Sequence, residues 1–293
     1  MAMTWHRRLG RLAGILVSTV VIAWVVLMVA AAVAQETFIF PRWVIPASAW
    51  SGPVPSDAEV LTLDTEQGEV PAWFFAGQPD AGLIVFLHGN GVVIDRRVGL
   101  ARQLVRSGWN VLLPEYRGYG RAHGSPSQAA ITSDVTAFIA QVRARETVGD
   151  TLVLYGRSIG TTVAAVLAED VQADALILQT PPAGIRQMAA RYLVPGFMLR
   201  SPLDGEAALK ALSTPVPTLV IEHGQDRLIP ASHVACIAAA AGPHVRHITV
   251  GGTHNDYASG EDQRAVQAAV QQLLGELSPE NEMTPDADRA SPE

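Results

Sequence analysis

The sequence predicts an α/β protein with a mostly parallel central sheet, helices on both faces and one transmembrane helix in front of it. Short apolar runs alternate with helical segments of about 10–15 residues, as in parallel strands joined by crossover helices. Hydrophobic residues make up 48% of the 293 residues and charged residues 17%, so the chain can bury a substantial core. A long uncharged stretch near the amino terminus contributes to this apolar composition.

Composition also excludes several classes of protein. The net charge of -7 argues against a nucleic-acid-binding protein, which normally carries a basic face. A single cysteine, Cys236, excludes a disulfide framework and a multi-cysteine metal cluster. The acidic, proline-punctuated residues 278–293 are expected to be a disordered tail.

Residues 12–34 form the uncharged stretch. As a helix, these 23 residues would be about 34 Å long, enough to cross the hydrocarbon core of a bilayer. The preceding residues 1–11 carry Arg7, Arg8 and Arg11, and the positive-inside rule places such an end in the cytoplasm. This pattern predicts a single-pass membrane protein whose main domain lies on the extracytoplasmic side.

A cleaved signal peptide is the alternative for the same residues. Ala32-Val33-Ala34 is an A-x-A cleavage site directly before Gln35. Cleavage there would release a secreted or periplasmic domain. The two interpretations agree that the domain is exported and differ only on its attachment.

The remaining chain is predicted to contain a linker and one domain. Residues 35–57, rich in proline and aromatic residues, are the linker, and residues 58–277 are the domain. Strands are expected at 59–64, 70–75, 83–87, 110–116, 151–155, 175–178, 218–222 and 246–250. Helices are expected near 94–107, 127–146, 159–169, 231–241 and 260–276. An apolar, lid-like insertion at about 181–214 breaks this alternation.

The sequence Gly156-Arg157-Ser158-Ile159-Gly160 matches G-x-S-x-G where a predicted strand turns into a helix. This is the context of a nucleophile elbow, in which glycines relieve crowding in a strained turn and the serine hydroxyl stands clear of the sheet. Ser158 is therefore the predicted nucleophile.

A serine nucleophile needs a base and an acid that orients the base, and in this architecture the chain order is serine, acid, histidine. Of the histidines downstream of Ser158, His254 lies in a loop directly after the last predicted strand. Asp226 follows the strand at 218–222 and precedes His254 by 28 residues. Asp226 and His254 are the predicted acid and base.

An oxyanion hole would complete the site. The residue after the nucleophile, Ile159, supplies one backbone N–H in this architecture, and a loop after an early strand supplies the other. His88-Gly89-Asn90-Gly91 occupies that loop, and Asn90 is the predicted second donor, with His88 expected to be structural.

Taken together, these motifs resemble the α/β-hydrolase superfamily, and in particular the Bem46-type group and the membrane-associated ABHD12-, ABHD13- and ABHD17-like serine hydrolases. The resemblance covers about residues 36–276. The resemblance rests on these residues and motifs: His88-Gly89-Asn90, Tyr116-Arg117-Gly118-Tyr119-Gly120, Gly124-Ser125-Pro126, Asp134, Tyr155 to Gly160, His223 to Pro230, and Gly252 to Asp256. It implies an α/β-hydrolase fold, with the Tyr-Arg-Gly-Tyr-Gly run and Asp134 as scaffold.

The expected activity is hydrolysis of a carboxylic ester or thioester through an acyl-enzyme, with no cofactor or metal. The insertion suggests a small-molecule or lipid-like acyl substrate, with Met188, Tyr192 and Phe197 as pocket residues. A peptidase or acyltransferase on the same three residues, or an inactive membrane-tethered binding module, are the alternatives. The sequence leaves the oligomeric state open.

Overall fold

A computed structural model describes residues 2–190 and 196–277. Its eight strands are β1 (Glu59–Thr65), β2 (Gly68–Phe75), β3 (Leu83–Leu87), β4 (Asn110–Pro114), β5 (Leu152–Arg157), β6 (Ala175–Gln179), β7 (Thr218–His223) and β8 (Val245–Val250). They form one sheet in the order β1-β2-β4-β3-β5-β6-β7-β8. β2 pairs antiparallel with β1 and β4, and every other recorded pair is parallel, which confirms the predicted fold class.

The helices are α1 (Ala2–Ile39), α2 (Val98–Arg106), α3 (Gln128–Arg143), α4 (Ile159–Leu167), α5 (Ile185–Ala190), α6 (Gly205–Ala211), α7 (Ala231–Ala240) and α8 (Gly260–Glu276). Side chains of α3, α4, α6 and α7 share one buried apolar cluster, and those of α2 and α8 share a second. The two clusters lie on opposite faces of the sheet because alternate strand residues point to opposite sides. In β3, for example, Val85 belongs to the first cluster and Phe86 to the second.

The first helix is longer than the uncharged stretch that predicted it. It continues through the expected boundary at residue 35 to Ile39, and the chain turns just before Pro41, a residue that favours extended backbone in front of it. Phe40 is then 1% exposed within the first cluster. Within α1, Gly10–Ala30 has a mean hydropathy of 2.7 and no residue buried by the described part of the chain. Length and composition make it either a membrane span or a signal sequence.

The two ends of the insertion between β6 and β7 lie next to each other. An isolated antiparallel bridge joins Gly184 to Asp204 and closes a segment that contains α5 and a short 3-10 helix, Gly196–Met198. This segment leaves the sheet at the carboxyl end of β6, the edge at which ligands bind in open α/β sheets.

Candidate active site

The turn between β5 and α4 is strained at Ser158. Its φ of 52° and ψ of −124° lie in a region that side chains rarely adopt. The flanking glycines are required by close approach: a Cβ at Gly160 would lie 2.1 Å from the Leu87 carbonyl oxygen, and one at Gly156 would lie 2.5 Å from Thr161 N. The G-x-S-x-G residues therefore form the predicted strand–turn–helix with Ser158 at its apex.

The three residues predicted from chain order lie in one hydrogen-bonded row. His254 Nε2 is 2.9 Å from Ser158 Oγ, and His254 Nδ1 is 2.6 Å from Asp226 Oδ2. The Asp226 side chain is 5% exposed and that of His254 14%, so the row is largely shielded from water. A carboxylate on Nδ1 holds the proton there and leaves Nε2 free to accept one from the serine.

Backbone donors fix the orientation of the Asp226 carboxylate. Leu228 N and Ile229 N donate to Oδ1 at 2.8 and 2.9 Å, while Oδ2 faces the imidazole. The carboxylate therefore presents one particular oxygen to His254.

The loop that carries His254 is held by three polar side chains. Arg157 Nη2 donates to the carbonyls of His254 and Asn255 at 3.1 and 2.9 Å. His223 Nδ1 donates to the Thr253 carbonyl at 2.7 Å, and Gln225 Oε1 accepts from the backbone N–H of Gly252, at the start of the loop. These contacts join the turn of Ser158 and the loop of Asp226 to the loop of His254.

Burial lowers the pKa of His223 below its usual 6.5, an effect only partly offset by its bond to the Thr253 carbonyl. His223 is 2% exposed, and its Nε2 lies 3.1 Å from Gln179 Nε2. A neutral imidazole with the proton on Nδ1 satisfies both neighbours, since Nδ1 donates and Nε2 accepts.

Two backbone segments reach the space beside Ser158. Ile159 is the first residue of α4, so its N–H has no acceptor within the helix. The second segment contains Gly89, where a Cβ would lie 3.2 Å from Ser158 Cβ. The absence of a side chain there lets the backbone before Asn90 pack directly against Ser158.

Side-chain bonds hold the loop of Asn90. Its Oδ1 accepts from the Tyr119 hydroxyl at 2.9 Å, and its Nδ2 donates to the Ile39 carbonyl at 2.7 Å. His88 is fully buried, with Nε2 2.9 Å from Glu115 Oε1 and its ring stacked on Tyr116 at 3.9 Å. These packing contacts place His88 in the scaffold under the loop.

An apolar cavity of about 470 Å³ opens next to Asn90. Its lining comes from α1, the loop after β3 and the insertion: Met28, Ala32, Gln35, Phe38, Ile39, Asn90, Ile185, Met188, Ala189, Met198 and Leu199. The volume falls in the range of about 300–1,000 Å³ typical of small-molecule sites.

The three predicted pocket residues fare differently. Met188 lines the cavity. Phe197 does not: it is 88% exposed, and its neighbours Met198 and Leu199 line the cavity instead. The expectation for Phe197 is corrected because the segment is a 3-10 turn, whose successive side chains point in directions about 120° apart. Tyr192 lies outside the described residues.

Comparison with known proteins identifies the family. The model described as serine aminopeptidase S33 (Hydrolase_4) matches residues 78–228, just over half of the chain. The chain belongs to the serine aminopeptidase S33 family. This S33-family chain is also 31% identical to YfhR of Escherichia coli O157:H7 over 279 residues, which cover 87% of the chain and 96% of YfhR.

Two further similarities place this S33-family chain among α/β hydrolases. It is 33% identical over 170 residues to the lysophosphatidylserine lipase ABHD12 of Danio rerio, covering 52% of the chain and 40% of that lipase. The fold matches an esterase of Pyrococcus furiosus with a TM-score of 0.61 at 17% identity, over 77% of the chain and 94% of the esterase. The α/β-hydrolase superfamily and the ABHD-like relationship are thereby confirmed.

The sequence did not predict the residues that hold the base loop, Gly252 to Asn255, which carries His254 in this S33-family hydrolase. Arg157 lies inside the elbow motif and His223 and Gln225 lie close to Asp226, so the motifs contain all three residues but assign a role to none of them. Polar residues next to predicted catalytic residues were the available signal. Their partners, the Thr253, His254 and Asn255 carbonyls and Gly252 N, belong to a loop whose path no local pattern predicts.

Proposed function

We propose that this hydrolase is a membrane-attached enzyme that cleaves carboxylic esters or thioesters with an apolar acyl group. The observation that carries the proposal is the row from Asp226 through His254 to Ser158, with distances of 2.6 and 2.9 Å. A serine hydroxyl becomes a useful nucleophile when an oriented base stands within hydrogen-bond reach. The proposed enzyme consists of an anchor at residues 12–34 and a catalytic domain at 58–277 with a lid-like insertion at 181–214.

In the acylation step, Ser158 Oγ attacks the acyl carbon while its proton moves to His254 Nε2. The carbonyl π electrons move onto the carbonyl oxygen, and the backbone N–H groups of Ile159 and Asn90 stabilise the resulting oxyanion. The oxyanion then collapses, the bond to the leaving oxygen or sulfur breaks, and His254 protonates the leaving group. Asp226 stabilises the imidazolium that forms between these two transfers.

Deacylation repeats the sequence with water. His254 takes a proton from a water molecule that attacks the acyl-enzyme, and then returns the proton to Ser158 Oγ as the carboxylic acid departs. If an alcohol replaced water in this step, the same residues would perform acyl transfer.

The composition of the cavity favours an ester over a peptide substrate. Aminopeptidases must bind a charged α-amino group, for which a carboxylate is a suitable partner. The described residues that line the cavity are apolar except Gln35 and Asn90, and none is acidic. Such a wall suits a hydrocarbon acyl chain.

The charge pattern supports the proposed topology. Arg7, Arg8 and Arg11 precede the apolar span, so the positive-inside rule puts the amino terminus in the cytoplasm and the catalytic domain across the membrane.

Hydrolysis assays on the full-length protein test the activity. p-Nitrophenyl esters of increasing chain length should be hydrolysed, aminoacyl p-nitroanilides should not, and Ser158→Ala should abolish turnover. Preferential cleavage of the anilides would establish a peptidase. Ester product formed only with an added alcohol acceptor would establish an acyltransferase, and inactivity on all substrates would favour a binding module.

A further inference from the structure

The end of helix α1 is docked onto the insertion through specific polar contacts. Gln35, only 7% exposed, accepts from Arg200 N at 2.6 Å through Oε1 and donates to the Met198 carbonyl at 3.1 Å through Nε2. The Ser201 hydroxyl donates to Glu36 Oε1 at 2.9 Å. A buried amide with both ends satisfied fixes the helix relative to the insertion.

This docking makes α1 one wall of the apolar cavity. Met28 and Ala32 lie on α1 at i and i+4, one face of the helix, and α5 supplies Met188 and Ala189 to the lining. Val33, the neighbour of Ala32, is 67% exposed and is absent from the lining. The helix therefore turns a defined face to the cavity and the rest of its surface outward.

The cavity starts where the apolar span ends. Gly10–Ala30, about 32 Å long as a helix, contains Met28 in its last turn. With the span across a bilayer of about 30 Å, the part of the cavity lined by Met28 lies at the membrane surface next to the lipid chains. A hydrocarbon chain that leaves the bilayer along this face of α1 stays in apolar surroundings.

The other end of the helix reaches the catalytic loop. The Ile39 carbonyl accepts from Asn90 Nδ2 at 2.7 Å, and Asn90 also lines the cavity. The backbone before Asn90 packs against Ser158 through Gly89. Thus α1 lines the cavity from the last turn of the span to Ile39, whose carbonyl is bonded to the loop beside Ser158.

We propose that the cavity-facing residues of α1, Met28, Ala32, Gln35, Phe38 and Ile39, form the acyl-binding wall of the active site, and that the substrate is a membrane-resident lipid ester whose acyl chain enters along this helix. The inference rests on the proposed function, because it assigns the acyl group that Ser158 would receive. It also requires that the helix be retained. Cleavage after Ala34 would remove Met28 and Ala32 from the wall and create a charged amino terminus at the buried Gln35.

A pair of neighbouring substitutions tests the wall. Ala32→Trp fills the cavity from α1, Val33→Trp places the same bulk on the outer surface, and Ala189→Trp fills the cavity from α5. Full-length proteins in phosphatidylcholine vesicles are assayed with p-nitrophenyl palmitate and p-nitrophenyl acetate.

We expect Ala32→Trp and Ala189→Trp each to lower kcat/KM for palmitate at least about tenfold, since the indole occupies cavity space that the acyl chain needs and the chain then loses apolar contacts. Acetate turnover and fluorophosphonate labelling should stay within about twofold of wild type for both, which shows that the variants fold. Val33→Trp should change neither ester. Because both cavity variants occupy the same space, their combination should lose less than the product of the single effects.

The inference is overturned if Ala32→Trp and Val33→Trp give equal palmitate activity, if Ala189→Trp alone discriminates between the esters, or if Ala32→Trp lowers acetate turnover as much as palmitate turnover. Failure of the proposed function looks different: the wild-type protein would then hydrolyse neither ester and would not react with the fluorophosphonate.

Discussion

The row of Ser158, His254 and Asp226 and the apolar cavity lie on either side of the loop that contains Gly89 and Asn90, but they are built in opposite ways. Ser158, Asp226 and His254 sit at the ends of adjacent or nearby parallel strands, and polar bonds from neighbouring loops fix each of them. The cavity is a gap between a membrane-type helix and an insertion, lined by adaptable apolar side chains. Polar groups at strand ends suit chemistry that needs fixed distances, and an apolar gap suits recognition of a flexible chain. Substitutions in the row should therefore change kcat for every ester, and substitutions in the cavity should change only the activity on long-chain esters.

The largest effect is expected at Asp226. In Asp226→Asn, the side-chain oxygen keeps its bonds from Leu228 N and Ile229 N, so the amide nitrogen must face His254 Nδ1. That nitrogen donates, the imidazole proton moves to Nε2, and Nε2 can no longer accept from Ser158. The kcat for p-nitrophenyl acetate should fall about 10⁴-fold, as for this change in another serine hydrolase fold.

Asp256→Asn is the matched control for this experiment. Asp256 is exposed in the same loop as His254, and its carboxylate lies 3.5 Å from the Thr253 hydroxyl. This variant should keep near-wild-type kcat. An equal loss in both variants would contradict the assignment of Asp226.

An intermediate effect is expected at Arg157, which holds the base loop rather than touching the reacting atoms. Arg157→Met removes both bonds to the loop carbonyls, so kcat should fall roughly 10–100-fold through misplacement of His254. The KM for acetate should stay unchanged, and Arg157→Lys should recover part of kcat. Arg96→Met, at an exposed arginine that lines the same surface cavity as Arg157, should have no effect. Unchanged kcat in Arg157→Met would remove its positioning role.

A smaller and substrate-dependent effect is expected in the cavity. Met188→Asp puts a charge into the apolar lining and should raise KM for palmitate about tenfold while leaving acetate unchanged. Phe197→Asp is the matched control, because that side chain is 88% exposed, and it should change neither ester. Equal losses in the two variants would show that the insertion acts as a whole and not through its inner face.

The smallest effect concerns the stability of the base loop. The folded-state pKa of His223 lies below 6.5, so its neutral form contributes stability that is present above pH 6.5 and is lost as the pH falls below it. His223→Asn keeps a donor for the Thr253 carbonyl but loses the contact with Gln179, and should be about 1 kcal/mol less stable at neutral pH.

The deficit of His223→Asn should shrink as the pH falls below 6.5, because only the wild-type protein loses the contribution of His223. Chemical denaturation of the detergent-solubilised proteins at several pH values measures it. A difference that is independent of pH would show that His223 does not titrate as inferred.

The same contrast explains what the sequence could and could not predict. The alternation of strands and helices predicts that Ser158 lies at the start of α4 and that Asp226 and His254 follow β7 and β8. The chain order of serine, acid and histidine then selects these residues as the candidates. These positions follow from local patterns, because the carboxyl ends of parallel strands meet at one edge.

The cavity depends on contacts that no local pattern encodes. Gln35 and Met198 are 163 positions apart, and the bond from Asn90 to Ile39 closes a separation of 51. The sequence predicts a linker at residues 35–57, although Pro41 indicates that a helix could continue to just before it, as α1 does. It also predicted Phe197 as a pocket residue, because apolar content indicates burial but not the direction of a side chain in a 3-10 turn.

The proposed activity depends on Ser158 being a nucleophile that His254 activates. The most direct measurement is peptide mapping of the full-length protein after reaction with a fluorophosphonate, alongside Ser158→Ala and His254→Ala. Trypsin cuts after Arg157 and Arg186, so we expect one adduct on the peptide spanning 158–186, at its first residue. The adduct should be absent in Ser158→Ala and form much more slowly in His254→Ala. An unmodified wild-type peptide, or an adduct that persists in Ser158→Ala, would contradict the claim.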